Sequence, residues 1–304
     1  MAPMGRYFFS LSGWGNVAKE RPMKKNIPFF LFLLIVCWCP LCLAQTPESK
    51  TDYLGYYKTS HSYQRVIEAG ATVINYPEDH SFAVLWVPPE VTQGRIMVLL
   101  HGSQGTPYEE IKDELAMAQK YKYLLVGIQW HDRQTDRYYP ASQVYRIIDK
   151  TLQYVKKKYS NDLSRVAFSG FSRGAAVSYE LAYFDLTHRK FFDLFIAHSG
   201  GIATDLVVAP GENPHPDDFL KNFVSGRLGK APFVGGRFFL YSGDEDESWG
   251  IKMSLYVENA KQKITQAGGE VVECVREAHG KHMGYRLNTA VHERSIRHFI
   301  RLTP

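Results

Sequence analysis

Short apolar runs alternate with longer stretches of helical periodicity, and this alternation constrains the fold of the 304-residue chain more than any other feature. Ala71-Thr72-Val73-Ile74 and Phe82 to Val87 read as an opening hairpin around the turn-rich Pro77-Glu78-Asp79-His80. Arg95 to Leu100 (RIMVLL) is a fully apolar strand and Tyr123 to Trp130 is another. Between them, Thr106-Pro107-Tyr108-Glu109 places Thr at the N-cap, Pro at N1 and Glu at N3, which predicts a helix start. The pattern continues with a helix over 142–159, a strand over 165–169 and a helix over 174–184. Strands at 192–197 and 237–241, a helix at 251–267, a strand at 270–276 and a helix at 287–301 complete it. Strands joined by helical crossovers require an α/β fold, a mainly parallel β-sheet with helices on both faces. Chemistry in such sheets gathers at the carboxyl ends of the strands. Functional side chains are therefore expected immediately after strands.

The N-terminal region has another character. Residues 27–43 read IPFFLFLLIVCWCPLCL, preceded by Met23-Lys24-Lys25 and followed by Ala44-Gln45. A basic start, an apolar middle and a small residue at the end describe a secretory signal peptide, with Met23 as the start and cleavage after Ala44. The block is short for a membrane span and contains Pro28 and Pro40. No stable membrane anchor is expected after cleavage, and the protein is expected to be exported to the periplasm or the medium. Residues 45–304 are expected to form one domain. They keep 31 basic and 30 acidic residues, a formal charge of +1, so the basic balance of the whole chain is no argument for nucleic acid. Cys37, Cys39 and Cys42 leave with the leader, and Cys274 alone remains. A mature domain with one cysteine has no internal disulfide and depends on core burial.

Four short segments follow predicted strands and carry side chains suited to catalysis. Ser172 lies in Gly170-Phe171-Ser172-Arg173-Gly174, at the turn from an apolar strand into a helix. A serine hydroxyl is a poor nucleophile unless a base stands at hydrogen-bond distance. The flanking glycines allow close backbone approach, and the Arg173 N–H at the helix start is suited to an oxyanion. His101-Gly102-Ser103-Gln104-Gly105 follows RIMVLL and offers a second donor, the Ser103 N–H. Gly243-Asp244-Glu245-Asp246 follows the next relevant strand, and an acid here would orient an imidazole. Asp246 is preferred, with Asp244 in reserve. Ala278-His279-Gly280-Lys281-His282 follows the last strand; His282 is preferred because it comes after a glycine-containing turn, with His279 in reserve. The order Ser, acid, His, each past its own strand, carries more weight than any single motif.

On Leu100-His101-Gly102-Ser103, the 165–174 elbow, Ala197-His198-Ser199-Gly200-Gly201, Gly243 to Asp246 and His282, the chain resembles the α/β-hydrolases. In detail it is similar to secreted serine esterases related to polyhydroxybutyrate depolymerases and feruloyl esterases. That resemblance implies a Ser172–His282–Asp246 triad, the Gly-x-x-Asp pattern pointing to Asp246. It implies a small or polymeric ester as substrate, and neither metal nor organic cofactor. Many of those esterases carry Gly-Gly or Ala-Gly after the serine, where this chain has Arg173-Gly174. An arginine there can narrow the pocket or bind an anionic group. A peptidase or acyltransferase on the same scaffold, a metal site at His279 and His282, and a non-catalytic binding module are the rival readings. Trp130, His131, Tyr138 and Tyr139 either line a pocket or pack, and His198 reads as structural. The Pro- and Gly-rich 202–233 segment is expected to form a lid or pocket wall.

Overall fold

The computed structural model describes residues 57–89, 94–203, 218–248 and 250–303. The apolar block at 27–43 lies outside them. Among the described residues no helix is long and apolar enough to cross a membrane.

Eight strands form one sheet: β1 (Thr72–Tyr76), β2 (Ser81–Trp86), β3 (Arg95–Leu100), β4 (Tyr123–Ile128), β5 (Val166–Phe171), β6 (Phe192–His198), β7 (Arg237–Gly243) and β8 (Glu270–Glu277). Their spatial order is β1-β2-β4-β3-β5-β6-β7-β8. The opening hairpin pairs antiparallel, β2 pairs antiparallel with β4, and every later pairing is parallel. The chain steps from β3 outward to β4 and then returns across β3 to β5. This reversal leaves the carboxyl ends of β3 and β5 side by side, where a crevice opens. Their ladder runs to Leu100 opposite Gly170, one residue short of His101 and two short of Ser172.

Unbroken apolar strands are explained by the helices on both faces. Ile96, Val98 and Leu100 of β3 point to one layer and Met97 and Leu99 to the other; on β7, Phe238 and Leu240 oppose Phe239 and Tyr241. The first layer holds α3 (Ala141–Tyr159), α4 (Arg173–Thr187) and α6 (Met253–Gln266). The second holds α1 (His61–Glu68), α2 (Pro107–Tyr121) and α8 (Thr289–Leu302). The Thr106 capping box forms as the sequence predicts, with Glu109 closing back on the Thr106 N–H.

Three local features depart from the periodic reading. An unpredicted one-turn helix, α7 (Gly284–Leu287), precedes the expected last helix and ends at Asn288, whose side chain accepts the Val291 N–H and caps α8. An Asx-type cap competes with helix continuation at that point. The described part of the 202–233 segment contains α5 (Phe219–Val224), whose Phe219 packs on Tyr183 and whose Phe223 packs on Phe233. It therefore belongs to the α4 layer, and 204–217 lie outside the described residues. Two-residue strands at His131–Asp132 and Arg137–Tyr138 form a small hairpin beyond β4.

Beneath the site, α2 and α8 are joined by buried polar groups. Glu114 accepts hydrogen bonds from the Tyr123 hydroxyl and, at 2.8 Å, from His292 Nε2. Burial disfavours a charged His292 ring, but the Glu114 carboxylate outweighs it and raises the pKa. The folded state thus holds this proton more tightly than the unfolded chain does. The resulting stabilisation is complete below the unfolded imidazole value, about 6.5, and is lost as pH climbs through the higher folded value. Between neutral and alkaline pH the melting temperature of the wild type should fall more steeply than that of His292→Gln. Parallel curves would remove His292 from this role.

Candidate active site

Ser172 sits between β5 and α4 with φ 54° and ψ −113°, a conformation that side-chain-bearing residues rarely adopt. The neighbours hold it there. Its N–H donates to the His198 carbonyl at 3.0 Å, and its own carbonyl accepts from the Ala176 N–H. A Cβ added at Gly174 would lie 2.3 Å from the Leu100 oxygen, and one at Gly200 would lie 2.3 Å from the Ser172 oxygen. The turn is thus clamped between the ends of β3 and β6, at distances that only glycine permits.

The structure brings three of the sequence-predicted side chains into one hydrogen-bonded chain. His282 Nε2 is 2.8 Å from Ser172 Oγ, and His282 Nδ1 lies 2.9 and 3.0 Å from the two Asp246 carboxylate oxygens. A carboxylate accepts, so Nδ1 carries the proton and Nε2 presents its lone pair to the hydroxyl. The Asp246 carboxylate is fully buried, whereas the imidazole is 31 % exposed and open to a substrate. The two reserves stand apart. His279, 90 % exposed, pairs with Glu245, and Asp244 pairs with Arg276. Among the described residues no cluster of three His, Cys, Asp or Glu side chains is arranged to hold a metal ion.

The 101–105 segment, expected from the sequence to offer an oxyanion donor, lies directly across from the elbow: a Cβ on Gly102 would come within 3.1 Å of the Ser172 Cβ. Among the described residues no acceptor takes the Ser103 N–H. The Arg173 N–H sits in the first turn of α4, where the helix dipole favours negative charge. His101 is buried and clasped by Trp130, whose indole N–H donates to the His101 carbonyl at 3.0 Å and whose backbone N–H approaches His101 Nε2 at 3.5 Å. Its Nδ1–H donates to the Gly102 carbonyl. Burial pushes the His101 pKa down to about 3, so the ring is a neutral strut.

Sequence reasoning missed the groups that hold the histidine loop. Ser199, a left-handed residue, donates its hydroxyl to the His282 carbonyl at 2.7 Å. Arg286, one helical turn past His282, donates to Asp113 at 3.0 Å and to Glu110, both on α2. Its guanidinium also lies 4.3 Å from the centre of the Phe171 ring, which in turn contacts the His282 ring. Gly243 and Gly280 meet so closely that a Cβ at Gly243 would lie 2.0 Å from the Gly280 oxygen, joining the acid and histidine loops. His198, read as structural, is buried between Phe171 and Tyr285, and burial holds its pKa well below the ordinary value. No periodicity marks these residues; only the paired Gly positions offered a signal.

No protein-family model matches the sequence, and none of the curated proteins matches it. Solved structures do match. One of two fungal esterases from Rhizomucor miehei aligns over 83 % of this chain and 90 % of its own, with TM-score 0.59 and 14 % identity. An esterase from Pyrobaculum calidifontis aligns over 79 % and 88 %, with TM-score 0.56 and 12 % identity. Est1E from Butyrivibrio proteoclasticus aligns over 75 % and 98 %, with TM-score 0.52 and 14 % identity. The chain has the α/β-hydrolase fold.

The clamp on the elbow makes a definite prediction. Gly174→Ala must displace backbone rather than a flexible side chain, and should cost about 3 kcal/mol, lowering the melting temperature by roughly 5–10 °C. An unchanged melting temperature would show that the turn tolerates a wider separation.

Proposed function

We propose that this chain is a serine hydrolase that cleaves carboxylic esters. The observation that carries the reading is the continuous hydrogen-bonded chain Asp246–His282–Ser172, ending in a hydroxyl on a strained turn beside two backbone donors. Ser172 Oγ attacks the ester carbonyl while His282 Nε2 takes its proton. Asp246 holds Nδ1–H and stabilises the imidazolium, and the Ser103 and Arg173 amides receive the charge that develops on the carbonyl oxygen. The imidazolium then protonates the leaving alcohol. In the second half, His282 takes a proton from water, the hydroxide attacks the acyl-enzyme, and Ser172 Oγ leaves with the returned proton. The proton transfers use side chains that already lie within hydrogen-bond distance of one another.

Hydrolysis of an activated acyl ester should fall roughly 10⁴-fold or more in Ser172→Ala and in His282→Ala. His279→Ala should keep the wild-type rate. Loss of activity on replacing His279 alone, or survival of activity without Ser172, would overturn the assignment. A fluorophosphonate probe should label Ser172 in the wild type.

Export belongs to the same reading, and it is supported by the basic-then-apolar pattern of residues 23–44. N-terminal sequencing of the protein recovered from outside the cytoplasm should begin at Gln45. Recovery only from the cytoplasm with residues 23–44 intact would refute it.

A further inference from the structure

The small hairpin beyond β4 does more than fill space. Its Tyr138 ring is stacked against His131 at 4.3 Å and lies 4.7 Å from Trp130, the residue that clasps His101. The Tyr138 hydroxyl accepts the Gln104 N–H at 2.5 Å, one residue beyond the proposed oxyanion donor Ser103. Arg133, from the same hairpin, donates to the Gln104 carbonyl. The Tyr138 face is covered by the guanidinium of Arg173, 4.1 Å from the ring centre. Arg173 is the residue directly after Ser172. A long cationic side chain therefore starts at the nucleophile, and its head rests on a platform hydrogen-bonded to the oxyanion segment.

That placement has a chemical consequence. The guanidinium lies over an aromatic face, and its planar fork of N–H donors has the geometry that engages a carboxylate through two parallel hydrogen bonds. The stack also restricts the rotamers of the arginine, so less conformational entropy is lost when an anion binds. Two guanidiniums, those of Arg133 and Arg173, lie beside this hairpin. Burial lowers the His131 pKa despite a hydrogen bond to Asp136, and the guanidiniums of Arg133 and Arg173 add to the lowering. The positive charge at this rim comes from the guanidiniums of Arg173 and Arg133, with Tyr138 as the platform under Arg173.

We propose that Arg173, held by Tyr138, is a specificity-determining residue that binds a carboxylate on the substrate, so that the preferred substrates are esters carrying a second, ionised carboxyl group. This rests on the ester-hydrolase reading above and deepens it. The carboxylate belongs either to the acyl part, as in half-esters of dicarboxylic acids, or to the alcohol part, as in acylated hydroxy acids. Both place an anion a few bonds from the scissile carbonyl.

The test uses the whole mature chain and three ester sets: monomethyl dicarboxylates of graded length, acetylated hydroxy acids of graded length, and neutral esters of matched length. In at least one charged set, wild-type kcat/KM should exceed that of the neutral counterpart. In Arg173→Met this ratio should fall about 10- to 100-fold, mainly through KM, whatever happens to the neutral rate. Arg173→Lys, which keeps the charge and loses the fork, should lie between. Equal losses on charged and neutral esters, or no preference for either charged set, would overturn the subsite. A measurement without turnover separates the two readings. Calorimetric titration of Ser172→Ala with the monoamides of the same dicarboxylic acids, and with the ether analogues of the acylated hydroxy acids, should show binding that weakens by a similar factor when Arg173→Met is added. Such binding without hydrolysis of any ester would leave the subsite standing and remove the ester-hydrolase reading. Neutral-ester hydrolysis with no Arg173-dependent binding would do the reverse.

Discussion

The site depends on one steric constraint: the turn at Ser172 is pressed between the ends of two neighbouring strands. Gly174 lies against the Leu100 and His101 carbonyls, and Gly200 lies against the Ser172 carbonyl. An unusual backbone conformation survives only where its surroundings over-determine it. Here the parallel pairing of β5 with both β3 and β6 does so, because the register of two ladders fixes the turn before any catalytic side chain is placed. The same contact sets the separation between the 101–105 segment and the Ser172 hydroxyl.

The histidine loop is secured differently, by side chains rather than by ladders. Asp246 fixes the ring through Nδ1, Ser199 fixes the backbone carbonyl, and Arg286 ties the following helical turn to α2 through Glu110 and Asp113. These tethers come from three different elements, so the imidazole is positioned from several directions. Arg286 also covers Phe171, the residue before Ser172, and couples the two loops through an aromatic ring. Burial raises the Glu110 carboxyl to about 7 against the pull of that guanidinium, which is the cost of enclosing such a pair.

Around the rim, the hairpin at 131–138 supports the 101–104 segment and Arg173, the residue after Ser172, at once. Trp130 and Tyr138 reach His101 and Gln104 by hydrogen bonds, and Tyr138 supports Arg173 by its face. One short excursion between β4 and α3 therefore braces both the 101–104 segment and the Arg173 guanidinium.

The residues themselves determined the alternation of strand and helix, the capping box at Thr106, and the order in which serine, acid and histidine follow their strands. Those features depend on neighbours two to four positions apart, which local pattern reveals. Tertiary structure decided which histidine approaches the serine and which acid pairs with that histidine, because the His282–Ser172 contact spans 110 positions and Arg286 meets Glu110 across 176. It also placed a separate one-turn helix before the cap at Asn288 and set Tyr138 beneath Arg173, outcomes that depend on side-chain geometry. Periodicity encodes which face of an element is buried, but not which distant loop packs against its end; that choice is made only when the sheet closes its register.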